Sequence, residues 1–185
     1  MTTQETLVKY LTDMYALENH LAQPLKSQAK DEDFMAYPTA QVLVHRMLAR
    51  TENSISRLED LVKQLGGDAR GGFKSAVTEA AGAVAAVINE GRTHHVTKKL
   101  RDDYTALSLV AVGYELLHAT SNALGSAQIA TFAQSSLQET AGLIMSLSQE
   151  IIPVAVAELA TTNEGVDVST VATSQQNIKD AWTHH

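Results

Sequence analysis

The stretch LVKYLTDMYALENHLAQPL, Leu7 to Leu25, decides the fold. Apolar side chains recur at Leu7, Leu11, Met14, Leu21 and Leu25, in helical steps of three and four, and the stripe is interrupted at Glu18. A carboxylate on a buried stripe loses its hydration, so it must be paired, hydrogen-bonded, protonated or bound to a metal. In an all-helical chain a metal site inside a bundle begins this way, and so does a structural buried acid. For the structural acid, the inward partners at hand are His118, Tyr114 and Thr51, and Glu18→Leu is expected to be tolerated.

Outward from that stretch, the first helix runs from Thr3 to Lys30, capped by Thr2 or Thr3, with Pro24 kinking its last turns. The acidic turn Asp31–Phe34 and Pro38 lead into a second helix, from near Thr39 to the pair Gly66–Gly67. Its stripe is Val44, Leu48, Thr51, Ile55, Leu58, Val62 and Leu65, a heptad pattern that packs nearly antiparallel helices at a shallow angle. An alanine-rich segment, Ser75–Asn89, reads as a short extra helix, followed by the polar run EGRTHHVTKKLRDD. From Tyr104 to Gln138 the only formal charge is Glu115, which predicts a largely buried stretch. It forms a third helix to about Leu124, a turn at Gly125–Ser126, and the start of a fourth helix that Pro153 bends before Leu159. The expected architecture is all-α: an antiparallel four-helix bundle over residues 1–162, with residues 163–185 adding a loop and a short helix at Thr170–Trp182.

Composition narrows the function classes. The 185-residue chain carries a formal net charge of −7, and its longest basic run, TKKLR at Thr97–Arg101, is too short for a phosphate-binding stripe, so nucleic acid is not an expected partner. Cysteine is absent, which removes disulfides, thiolate metal sites and thiol catalysis and fits a reducing cytoplasm. The opening MTTQETLVKYL does not read as a signal peptide, and the apolar stretch Ala106–Leu117 falls short of the roughly 20 residues a membrane span requires. The reading is a soluble, cytoplasmic protein with no membrane partner.

A di-iron bundle draws one carboxylate from each of two helices and a Glu-x-x-His pair from each of the other two. The chain has ELLH, Glu115 to His118, inside its most apolar helix, and with Glu18 this supplies two helices of such a site. The structural alternative pairs Glu115 and His118 with each other or with Tyr114. Glu52 and His45 read as solvated flank residues, Glu150 as partly buried, and His94–His95 as surface loop. Phosphate loops, nucleophile elbows and His-Glu-x-x-His zinc helices are missing from the sequence.

YLTDMYALENHLAQPL (Tyr10–Leu25) resembles the opening helix of the YciE/YciF family of ferritin-like, stress-associated proteins, with its L-x-D-x-Y-x-A-E-x-x-L run. HRMLARTENSISRLEDL resembles that family's H-x-H-L-E-E-T-x-x-Q-x-x-R-L-E pattern, with His45, Leu48, Thr51, Arg57 and Leu58 in register, and LQET at Leu137–Thr140 is similar to its L-x-E-T. The resemblance implies a ferritin-like fold and a carboxylate metal centre with Glu18, Glu115 and Glu139 at matched positions, to which the ELLH spacing adds His118 as a candidate ligand. The departures are pointed. Ala49 and Arg50 stand at the two acids of H-L-E-E-T, and Gly142, Leu143 and Ile144 replace an acidic triplet. A ligand set so depleted predicts a non-catalytic or vestigial bundle with a stress-associated role, no cofactor, and a homodimer or an unidentified protein partner. The alternatives are a di-iron or di-manganese protein with a rearranged site, and a small-ligand bundle with a cavity lined by Met14, Tyr15, Tyr114 and His118.

Overall fold

The computed structural model describes residues 1–71 and 95–183, and every regular element among them is helical. The helices are α1 (Thr3–Gln28), α2 (Pro38–Gln64), α3 (His95–Ala123), α4 (Ala127–Thr162) and α5 (Thr170–Thr183), with one 3-10 turn, Glu32–Ala36, between α1 and α2. The expected extra helix at Ser75–Asn89 lies outside the described residues, as does His94.

Local sequence sets most of these ends. At α1 the Glu5 N–H donates to Thr2 Oγ1 (3.2 Å) while the Thr2 N–H donates to Glu5 Oε2 (2.7 Å), a reciprocal capping box. Helix α2 stops where Gly66 takes φ 72° and the Gly67 N–H reaches back to the Val62 carbonyl at 2.9 Å. Gly125, also at φ 72°, ends α3 in the same way, with the Ser126 N–H on the Ser121 carbonyl at 2.8 Å. Pro24 and Pro153 both lie inside their helices, which run on to Gln28 and Thr162.

Specific contacts fix the helix directions. Gln4 Nε2 donates to the Leu65 carbonyl, so the start of α1 meets the end of α2. Gln28 reaches Asp103 near the start of α3, and Val96 on α3 reaches Glu158 near the end of α4. Gln128 at the start of α4 meets Gln64 at the end of α2. Every adjacent pair is therefore antiparallel, and α2 and α3 run the same way and begin at the same end of the bundle.

The described part of α3 is already helical at His95, ahead of the Tyr104 at which the apolar run starts. Close to that point Glu158 of α4 accepts from the Val96 N–H (2.8 Å) and the Thr97 N–H (3.2 Å), joining this end of α3 to the far end of α4. Lys99, one turn on, lies between Asp31 (2.5 Å) and Asp33 (3.3 Å) and ties the 3-10 turn to α3.

The core is the heptad interior. Leu11, Leu25, Val44, Met47, Leu58, Leu107, Leu117 and Leu147 are fully buried. On α3, Leu109, Val112 and Leu116 form one exposed line within the described single chain, Leu116 at 55 %. Steps of three and four put these residues on a face that neither α1 nor α4 covers. Among the described residues, α4 rather than Ala106–Leu117 is the helix long and apolar enough to cross a membrane by length and composition. Helix α5 has no buried residue and is attached to α4 by Gln175 Nε2 donating to the Gln149 carbonyl at 3.0 Å.

Candidate functional site

Glu18 is wholly buried at the centre of the bundle, where the stripe of α1 places it. Its partner is one the sequence reading did not name. Arg50 of α2 projects inward, and its Nη1 donates to Glu18 Oε1 at 2.6 Å. Tyr114 of α3 donates its hydroxyl to the same oxygen at 2.7 Å. The fourth helix contributes backbone: Arg50 Nη2 donates to the Ser136 carbonyl (3.3 Å), which also accepts from Thr140 Oγ1 at 2.7 Å. The guanidinium lies over the Tyr114 ring, 5.2 Å from its centroid, and Phe132 of α4 meets that ring edge-on at 5.9 Å. One cation thus joins all four long helices.

The electrostatics follow from burial. Loss of solvent pushes the Glu18 carboxyl above its ordinary value, and the Arg50 charge, the Tyr114 hydroxyl and the nearby Thr51 oppose that rise. Burial, and then the carboxylate beside it, push the Tyr114 hydroxyl far up, so it remains a donor at any physiological pH. The ion pair leaves Glu18 Oε2 and Arg50 Nε without hydrogen-bond partners.

The other candidate ligands do not converge on Glu18. Glu115 is exposed, because turning Tyr114 inward rotates its neighbour about 100° away. His118 is half-buried with both ring nitrogens engaged: Nδ1 is 2.9 Å from the Ala130 carbonyl, and Nε2 is 2.9 Å from Asn122 Nδ2. With a carbonyl at Nδ1 and an amide at Nε2, both ring nitrogens are turned to neighbours on α3 and α4 rather than toward Glu18. Glu139 is exposed on the outer side of the α2–α4 seam. Glu52 pairs with Lys26 at 3.4 Å, His45 is exposed, and Glu150 is half-buried, its carboxyl raised by that burial. Among the described residues no three His, Asp or Glu side chains lie close enough together to hold one ion.

This donor set does not fit a two-metal carboxylate centre. Such a centre takes several acids from all four helices. Here a single buried acid has one oxygen occupied by a guanidinium and a phenol. A cation placed there would also stand beside the Arg50 charge. Met14, Tyr15 and Tyr114, read as lining a cavity, are packed in the core, and Met14 fills the space a side chain at Gly113 would need.

The four-helix chain that carries this pair matches, over residues 2–160, the model of a family described as a domain of unknown function, DUF892. The chain belongs to that family. No curated protein and no solved structure matches it. The matched region takes in α1 to α4 as far as Ala160, including every residue of the ion-pair network, and stops short of α5.

Proposed function

We propose that this DUF892 chain is a metal-free, non-catalytic ferritin-like bundle of the YciE/YciF kind. In it the Arg50–Glu18 ion pair replaces the metal centre, and the protein serves a cytoplasmic, stress-associated role as a homodimer. The observation that carries the reading is the 2.6 Å contact between Arg50 Nη1 and Glu18 Oε1. Arg50 stands where the YciE/YciF pattern has an acid, and its fixed positive charge supplies to Glu18 what a bound cation would supply. Unlike a metal, a guanidinium neither exchanges ligands nor accepts electrons, so the substitution keeps the bundle's internal cross-link and gives up its chemistry. The test is thermal unfolding with and without added ferrous or manganous ion. A ligand that binds only the folded state raises the melting temperature. An unchanged midpoint supports the reading, and a rise of several degrees contradicts it.

Association is supported by the exposed line Leu109, Val112 and Leu116 on α3, and by α4, where 22 % of the most apolar window is buried within the bundle. An uncharged stripe is self-complementary, as a two-fold contact between identical chains requires. Light scattering is expected to report twice the 19.9 kDa chain mass, and Val112→Lys with Leu116→Lys to return the monomer. A wild-type monomer at tens of micromolar, a concentration set by ordinary interface strengths, refutes the dimer.

A further inference from the structure

Of the four seams between the long helices, the one between α2 and α4 is the least closely packed. Two small residues face it, Ala49 on α2 and Gly142 on α4, and a Cβ added at Gly142 would meet nothing within 4 Å. The result is an open groove of about 480 Å³, with Arg50 at its floor, Leu143 along its wall, Arg46 on one rim and Glu139 on the other. Arg46 is one helical turn before Arg50 and is exposed. Lys26, Lys63, Arg70, Lys99 and Arg101 each face a carboxylate. Arg46 forms no ion pair among the described residues. Lys9, Lys30 and Lys179 also form no ion pair among the described residues, but of these four cations only Arg46 lines the groove, where its charge is open to an anion.

We propose that this groove binds a small organic monocarboxylate, its carboxylate on Arg46 and its short apolar body against Ala49, Gly142 and Leu143. A guanidinium meets a carboxylate through two parallel N–H donors, which suits a planar anion. The apolar wall favours a carbon chain over inorganic phosphate. Glu139 on the opposite rim repels a second negative charge, so it selects a monoanion against a dicarboxylate of equal length. The groove needs neither a metal nor the dimer, and its failure would leave the metal-free reading untouched.

The probes are hexanoate, adipate and inorganic phosphate, titrated into the isotope-labelled full chain and followed by nitrogen–proton correlation spectra that include the arginine Nε–H signals. Hexanoate is expected to give saturable shifts at Ala49, Arg50 and Gly142, with adipate and phosphate much weaker. Losing one charge-assisted contact in Arg46→Gln should weaken hexanoate by roughly tenfold or more. Glu139→Gln should bring adipate close to hexanoate. Gly142→Leu should abolish the shifts without lowering the melting temperature, because an exposed mid-helix glycine disfavours the helix and the added side chain enters only the groove. Absence of saturable shifts with hexanoate, shifts that persist in Gly142→Leu, or phosphate binding as tightly as hexanoate would each overturn the proposal.

Discussion

Arg50→Leu is expected to destabilise the protein by about 3–5 kcal/mol, because it strands the Glu18 carboxylate in a core that offers it only neutral hydroxyls, Tyr114 and the nearby Thr51. Glu18→Leu should cost a similar amount, about 3 kcal/mol or more, since it leaves a guanidinium buried without its counter-charge. This reverses the expectation drawn from the α1 stripe, where an apolar replacement looked harmless. The stripe shows a carboxylate without showing that its partner is a second buried charge. Removing both charges together, as Glu18→Leu with Arg50→Leu, should fall within about 1 kcal/mol of the wild type, because the desolvation cost of both ions disappears with their attraction. Denaturant unfolding of the four proteins gives the coupling directly. Single variants that cost under about 1 kcal/mol each would show that the pair is not held as the geometry indicates.

The second large effect lies at the end of the bundle where α1 meets α3. Asp103 is 2 % exposed and joined to Gln28 by one hydrogen bond, Nε2 to Oδ1 at 3.0 Å. Its other oxygen and Gln28 Oε1 have no partners. Burial raises the Asp103 carboxyl to about 7, with Asp102 adding to the rise and Gln28 opposing it. Burial without a cation beside it makes the neutral, protonated acid the favoured form of Asp103 in the folded chain. The folded state therefore holds this proton over a range in which the unfolded chain has lost it. Asp103's contribution to stability is complete below its ordinary value and is lost as the pH rises toward about 7. The full swing is on the order of 4 kcal/mol. Asp103→Asn keeps the acceptor for Gln28, adds a permanent donor and carries no charge. It should be more stable than the wild type at about pH 8 and lose that advantage near about pH 4. Equal stability of the two proteins at both pH values would contradict this assignment.

Much of the fold was legible because it is written in short-range signals. The Thr2–Glu5 pair, Gly66 and Gly125 set helix ends through backbone geometry that needs no tertiary partner. The stripes of α1 and α2 placed Leu11, Val44, Leu58 and Val62 in the core, where they lie. The tie between α3 and α4 through Glu158 was not legible in this way, because its two ends lie some sixty residues apart in sequence. Arg50 was missed for a related reason: an arginine beside a heptad reads as a solvated flank. A signal was present, since Met47, Arg50, Ser54, Leu58 and Leu61 advance by threes and fours and are all buried. Asp103 was read as part of a polar approach to α3, although Leu100, Asp103, Leu107 and Val110 form the same kind of stripe and all four are buried. In both cases a charged residue on a buried stripe was assigned by its chemistry rather than by its position. Glu18 was read by position, and the centre of the bundle was found through it.

The central claim, that an arginine has taken the place of the metal, is tested most directly by counting metal in protein expressed with iron and manganese and purified without chelator. The account predicts far less than one equivalent of either metal per chain, and no change in that figure on Glu18→Ala. About two equivalents per chain, the complement of a di-metal bundle, lost together on Glu18→Ala, would contradict it.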